Sequence, residues 1–519
     1  MGGGITGNIH TMTTWDPDGS GPGHDHCVVV GSSLSTVGSL GCGHAASWNG
    51  SAWSVFGNGP GVVASAAAWD ADGDQVHEAV VAAGDFISVG DTTASRIAVN
   101  DGTRWSPMGA GFPSAPFVVG TWDPDGAGGL PSEVVAGGAF TSSGAVPLSR
   151  IGAWNGTAWH ALGSGLSASP RALTTWDADG PGGAGGLLVV GGSFATAGGV
   201  QVNGVGAWNG SAWQALGSGV GSSTTVRCLT TWDPDGGGPL QRVLVAGGDF
   251  TTAGGGAAQR IAAWDGQSWS PFSAGIGSTV YCVTTWDPDG NGPLAEQVFA
   301  GGTFSQAGGH SAARIAGWDG VDWRALGSGL SGTPNQSSTA ANAVRSFDPD
   351  GNGPMPGYLV VTGDFTSAGG VPAVGIARWN GAAWSAFGTG LGSVGDASGP
   401  SGRHLEERRI GVGGGFGQEL VVSGRFIRAD GVPAAGIALW SGAACGGSCD
   451  SIDFNGDGLL PDVLDVADFL AVLAGGVCEG QTAGDPPCNT DIDFNNDGLF
   501  PDTQDITGLL SVFGGGACV

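Results

Sequence analysis

The chain has 519 residues, with 45 acidic side chains against 16 arginines and no lysine, a formal charge of −29. That balance argues against nucleic acid or an anionic membrane as partner and fits a protein that binds cations or lives in salt. No apolar run approaches the roughly 18 residues of a membrane-spanning helix, and Met1-Gly-Gly-Gly shows neither the basic start nor the apolar stretch of a leader peptide.

The chain opens inside a repeat. Met1 to Ile5 (MGGGI) aligns with Leu162 to Leu166 (LGSGL), each segment preceding a Trp by the same interval. Two readings follow: a truncated start, or a closed ring in which this fragment completes the last copy. From there a motif of the form TTWDPDG recurs with its aromatic at Trp15, Trp69, Trp122, Trp176, Trp232, Trp286 and Phe347. A β-branched run ending in Gly-x-Phe follows, as in Val134 to Phe140. A W(D/N)GxxW pair comes next, as in Trp154/Trp159, Trp208/Trp213, Trp264/Trp269, Trp318/Trp323 and Trp379/Trp384.

Each copy therefore offers four short strands: one ending at the first Trp, one reading VAGGDF, one reading RIAAW and one reading WxxLGSG. Asp265-Gly266 and Asn155-Gly156 predict two-residue hairpins between the third and fourth strands. Gly and Pro make up 132 of the 519 residues, close to a disordered composition. Their strict phase at turns argues for order instead. A period of fifty to sixty residues built of short apolar strands predicts an all-β fold, a β-propeller of about seven to eight four-stranded blades over residues 1–441, with the first and last of eight copies incomplete. Three Trp per copy, each able to bury roughly 150–250 Å², read as wedges between sheets, with ligand stacking as the alternative.

The eighth copy departs from the pattern. Ser401-Gly-Arg-His-Leu-Glu-Glu-Arg-Arg409 replaces the Trp-Asp-Pro-Asp-Gly element and reads as a solvated loop, or as a specific binding loop. Leu420 to Phe426 keeps the core strand, Trp440 marks the third, and the fourth is missing.

Weaker signals lie within the repeats. The turns at Asp16/Asp18, Asp123/Asp125, Asp233/Asp235, Asp287/Asp289 and Asp348/Asp350 each offer two carboxylates to a cation, or are plain Asp-Gly turns. His24, His26, Cys27, Cys42 and His44 have the side chains of a zinc or copper site in no recognised spacing. A copper-radical enzyme needs two Tyr and two His at the axis, and only Tyr281 and Tyr358 exist. No nucleophile elbow or HExxH is present. A glycosidase carboxylate pair stays open.

After a short linker (residues 442–448) the composition changes. Residues 449–519 have no Trp and no Arg and carry two units in register. Asp453, Asn455 and Asp457 take positions 1, 3 and 5 of a loop with Gly458 at 6; Asp493, Asn495, Asp497 and Gly498 repeat it. Alternate oxygen ligands before a Gly turn suit Ca²⁺. The carbonyls of Leu459 and Leu499 fall at position 7. Asp462 and Asp465, and Asp502 and Asp505, fall at positions 10 and 13, so a bulge is needed for the last carboxylate to close each site. Apolar stripes at helical spacing follow: Val466, Phe469, Leu470, Leu473, and Ile506, Leu509, Leu510, Phe513. Cys449/Cys478 and Cys488/Cys518 frame the two units and suggest disulfides; Cys228/Cys282 and Cys27/Cys42 are further candidate pairs, which leaves Cys445 odd and points to an oxidising, extracellular setting.

The tail resembles a dockerin, and more closely the Cys-framed dockerin-type tails of secreted planctomycete proteins. That resemblance implies a small α-helical calcium-loop domain with calcium as its cofactor, docking to a cohesin-like or cell-surface protein. The repeats resemble kelch-type propellers and, in their AGG-FT-AGG phrasing, the fungal cortical polarity-marker family and bacterial relatives. This second likeness implies a surface for protein or glycan rather than a reaction. Together they predict a secreted, non-catalytic binding propeller docked by a calcium-loaded tail, with a carbohydrate-active enzyme delivered by the same tail as the alternative.

Overall fold

The computed structural model describes residues 5–6, 9–16 and most of 26–441; outside it lie short loops within that span, among them 178–185, 236–240, 289–294, 333–338, 350–356 and 393–399, and all of 442–519. The chain divides into two compact units, Met1–Gly442 and Ala443–Val519. The tail residues expected to hold calcium, and the helices expected beside them, lie outside the described residues.

Every described element of the first unit is a strand. Seven antiparallel sheets have four strands each, in simple up-and-down order. The fifth shows the plan: Val226–Trp232, Val243–Gly248, Ile261–Trp264 and Trp269–Pro271. An eighth sheet pairs Ser401–Val412 with Gly415–Arg425 and Ile437–Ser441, three strands among the described residues. The first strands of successive sheets pack on one another, from Ile9–Trp15 round to Ser401–Val412, which packs back on Ile9–Trp15. Eight inner strands thus form a closed ring, and the fold is a β-propeller.

The core lies between blades. Trp176, Val189 and Val205 of the fourth blade meet Leu244, Ala246, Phe250 and Trp269 of the fifth. Ring closure has its own cluster: Ile5, Ile9, Met12 and Trp48 pack on Val421 and Ile437 of the eighth blade. Ile5 pairs with Val37 just as Leu166 bridges to Ala197 and Leu330 pairs with Ala368. The opening segment therefore takes the place of the Leu that links two blades.

Nineteen of the tryptophans are buried and Trp440 is half-buried, so the indoles are wedges. They are also staples. Four of the inner-strand indoles donate forward to the next blade: Trp69 to Ser132 O (2.7 Å), Trp122 to Gly186 O (2.7 Å), Trp176 to Arg242 O (3.0 Å) and Trp232 to Glu296 O (2.7 Å). Five of the fourth-strand indoles donate backward to the preceding connector: Trp159 to Met108 O, Trp213 to Leu162 O, Trp269 to Leu216 O, Trp323 to Phe272 O and Trp384 to Leu326 O, at 2.7–3.0 Å. A buried N–H needs such an acceptor, and each bond ties one sheet to its neighbour.

Three local expectations are corrected. The fourth strand stops before LGSG, which forms a turn: Gly219 N donates to Leu216 O. The third-to-fourth connection is a four-residue loop closed by the Trp264–Trp269 pair. In it Asp265 Oδ1 accepts from the backbone N–H of Gln267 and Ser268, and only Gly266 takes positive φ. The side-chain acceptor replaces the second positive-φ residue of a two-residue turn. The true two-residue hairpin is the AGG segment, where Thr252–Ala253 pairs with Gly256–Ala257 across Gly254 and Gly255, at φ +60 and +82. Third, Arg403–Arg409 is not a loop but part of the inner strand of the eighth blade.

Candidate functional site

Each of the eight inner strands carries a β-bulge at the same register. In the fifth blade Val226 opposes Gly248 and Cys228 opposes Gly247, so Arg227 is the extra residue. The same irregularity isolates His10, Ala64, Phe117, Arg171, Tyr281, Asn342 and Arg403. Every one lies five positions before the aromatic position of its copy. The ring closure places these eight residues around one end of the central axis. Bulges re-aim side chains and cluster beside functional sites. The glycine opposite the residue before each bulge repeats in all eight copies, from Gly31 to Gly424, whereas the bulged residues range from apolar to aromatic to cationic.

Four neighbours form the best-defined part of this mouth. The Arg171 guanidinium lies 4.7 Å from the centre of the Phe117 ring, and that of Arg227 5.8 Å from Tyr281. Phe117 and Tyr281 are 40% and 39% exposed, large for aromatic rings in a chain whose indoles are sealed. Arg227 Nε donates to Asp249 Oδ2 at 2.7 Å, while Thr279 Oγ1 donates to Asp249 Oδ1 at 2.7 Å. Asp249 thereby links two blades and sets the direction of the guanidinium. Arg171, Thr225, Arg227 and Tyr281 line a pocket of about 430 Å³, within the range of small-ligand sites.

A second departure lies deeper along the axis. One and two positions before the aromatic, four of the eight copies have paired hydroxyls: Thr13 and Thr14, Thr174 and Thr175, Thr230 and Thr231, Thr284 and Thr285. The first of each pair turns its hydroxyl toward the next backbone carbonyl, as Thr284 does to Thr285 O at 3.4 Å. In the last two blades Arg345, Glu406 and Glu407 stand at these positions. Arg345 Nη2 lies 3.4 Å from Glu406 Oε1, and its Nε 3.4 Å from Glu407 Oε1. Burial pushes both carboxyls above their usual value, against the pull of Arg345; the charge of Glu407 adds to the rise at Glu406. The two carboxylates in turn hold the Arg345 guanidinium above its usual value, against the effect of burial. Two carboxylates sharing one guanidinium form an ion-pair bridge between blades.

The residues singled out from sequence fare unevenly. The Asp-Pro-Asp-Gly turns use their first Asp on their own backbone: Asp123 Oδ1 accepts from Asp125 N (3.1 Å) and Gly126 N (3.0 Å). Among the described residues no group of three or more His, Cys, Asp or Glu could hold a metal ion. His26 packs edge-on against Trp15, with ring centres 5.3 Å apart, and its proposed companions His24, Cys42 and His44 lie outside the described residues. Tyr358 is buried under Arg378, whereas Tyr281 stands at the mouth. The pairing of Cys228 with Cys282 is corrected: both are free thiols. Each sits opposite a glycine of its own blade, Gly247 and Gly301, and packs its sulfur over that Cα, which turns it into its own sheet. The bulge ring was missed. Its only sequence signal is the variability of one column, visible once the copies are aligned on the aromatic.

No family model matches the chain, and no curated protein matches it. Among solved structures it is similar to the rhamnogalacturonan lyase YesW, at 14% identity over 68% of this chain and 70% of that one, with a TM-score of 0.34. It is also similar to a GH74 enzyme of Niastella koreensis, at 11% identity over 79% and 67%, with a TM-score of 0.16. Superpositions this loose transfer no residue or activity; the fold rests on the closed ring itself.

Proposed function

We propose that this chain is an exported, non-catalytic binding propeller whose ligand sits at the bulged mouth of the ring, and which is carried to a surface or complex by a calcium-loaded, dockerin-like tail. The observation that carries the reading is the ring of eight bulges. A scaffold that repeats its bulge in every blade while varying the bulged residue places individuality at the axis, where a ligand can meet it. Kelch-like repeats and the Cys-framed Asp/Asn loops of the tail supply the rest of the reading. The loop ligands would be Asp453, Asn455, Asp457, Leu459, Asp462 and Asp465 in one unit, and Asp493, Asn495, Asp497, Leu499, Asp502 and Asp505 in the other. Their partner would be cohesin-like or a cell-surface protein.

The alternative, a carbohydrate-active enzyme, would draw on Glu406 and Glu407, the carboxylates that break the repeat at the axis. Their shared ion pair with Arg345 favours a structural role, since an acid and a nucleophile need separate environments.

The test is a glycan and surface-protein array probed with the full chain and with a variant carrying Phe117→Ala, Tyr281→Ala and Arg403→Ala. Binding lost in the variant, with no bond cleavage in the bound glycan, is the expected result; turnover that disappears in Glu406→Gln would establish the enzyme instead. For the tail, calorimetry of the full chain with calcium and with chelator should show one transition that moves and one that does not.

A further inference from the structure

We propose that the pocket lined by Arg171, Thr225, Arg227 and Tyr281, across the fourth to sixth blades, binds an acidic sugar unit of a glycan, its carboxylate held between Arg171 and Arg227. This deepens the reading of the mouth as the ligand-binding end and rests on it. Arg171 is exposed, stacked on Phe117, and has no acidic partner among the described residues. Arg227 is engaged through Nε by Asp249, which leaves its two terminal amino groups unbonded among the described residues. Two guanidiniums, only one of them paired with a carboxylate among the described residues, give the pocket a positive balance. In a chain of 45 acidic and 16 basic side chains such a spot is the exception, and it selects an anion against the field of the rest of the molecule. Guanidinium forks match the two oxygens of a carboxylate, and aromatic stacking holds them in place before the ligand arrives.

The other walls suit a polyhydroxylated ring. Thr225 lines the pocket, and Tyr281 gives a half-exposed ring with a phenolic hydroxyl. A sugar uses both features, its apolar face on an aromatic ring and its hydroxyls on short hydroxyl side chains. An acidic peptide would use the charge alone.

The experiment is isothermal titration of the full chain with trigalacturonate, with a neutral trisaccharide of the same linkage, and with a pentaglutamate peptide. Trigalacturonate should bind, and the neutral sugar should bind at least tenfold more weakly. Arg171→Gln and Arg227→Gln should each lose tenfold or more, with unchanged circular dichroism and melting temperature. Equal binding of the neutral sugar, tighter binding of the peptide, no binding of trigalacturonate, or indifference to both Arg substitutions would overturn the proposal. Neutral sugar bound by the wild type and lost in Tyr281→Ala would defeat the acidic ligand but leave the mouth as the binding end. Binding indifferent to Arg171, Arg227, Phe117 and Tyr281 alike would defeat both.

Discussion

Arg408 Nη1 donates to Glu419 Oε2 within the eighth blade, where the arginine occupies the register at which other inner strands end in an indole or, once, a phenyl ring. Arg408 is fully buried. In the fifth blade the same pair of positions holds Trp232 and Val243. A buried pair is costly to break from one side, because the remaining charge has no water to turn to. Arg408→Ala or Glu419→Gln should therefore lower stability by about 3–5 kcal/mol. Arg408→Trp with Glu419→Val, which restores the fifth-blade pair, should recover most of that loss. Urea unfolding of the three variants is the check, and a double variant no better than either single change would refute the equivalence of the two registers.

The indole staples make a second prediction. Trp213 is buried and donates from Nε1 to Leu162 O at 2.7 Å. Trp213→Phe keeps most of the wedge but strands a carbonyl between blades, and should cost about 1–3 kcal/mol. Trp213→Ala also opens a cavity and should cost about 3–5 kcal/mol. Denaturant midpoints would measure both, and similar losses in the two variants would mean that the wedge contributes little beyond the bond.

Glu406 and Glu407 predict a pH dependence. Burial raises both carboxyls above their ordinary value of 4.5, with Arg345 pulling the other way. The folded chain therefore keeps protons at a pH where the unfolded chain has released them. Stability contributed by this cluster is present below about pH 4.5 and is lost as pH rises through the raised values. Asp101, Asp265 and Asp319 are lowered, so they act below 3.8 and stay out of this window. Glu407→Gln should be less destabilised than wild type on going from pH 4.5 to 6. Parallel pH profiles of the unfolding midpoint would contradict it.

The two inner-strand thiols make a fourth. Burial pushes Cys282 up to about 12, and burial with the neighbouring Cys282 pushes Cys228 well above the usual thiol value. Only a thiolate alkylates. In the native chain at pH 8 both should label with iodoacetamide far more slowly than in urea, where both should react without a reductant. Peptide mass mapping distinguishes this from a Cys228–Cys282 disulfide, which would stay unlabelled in urea.

A fifth concerns backbone strain. Arg260 sits at φ +67, where the fourth and seventh copies place Gly204 and Gly375. Among the described residues its guanidinium bonds to Phe250 O and Gln259 Oε1 close by. Arg260→Gly relieves the left-handed strain, whereas Arg260→Ala keeps it and loses the bonds. The glycine variant should be the more stable of the two by about 1 kcal/mol, as read from thermal unfolding; the reverse order would show that the strain is negligible.

The sheets and their order were legible in the sequence because each strand is short, local and marked by residues with one dominant preference. Trp264 and Trp269 pair across a four-residue loop, and Val243 to Gly248 reads as a buried strand without knowledge of its neighbours. Composition and phase also separated the tail from the repeats. Ring closure needed the structure, because Ile5 and Val421 meet only when eight blades have turned through a full circle. The strand at Arg403–Arg409 was hidden because its charges contradict the pattern of its copies, and only pairing with Gly415–Arg425 outweighs that. The mouth was hidden for the same reason. A bulge is a mismatch between two strands, and the meeting of Arg171, Arg227 and Tyr281 is a relation between blades; neither exists in one strand read alone.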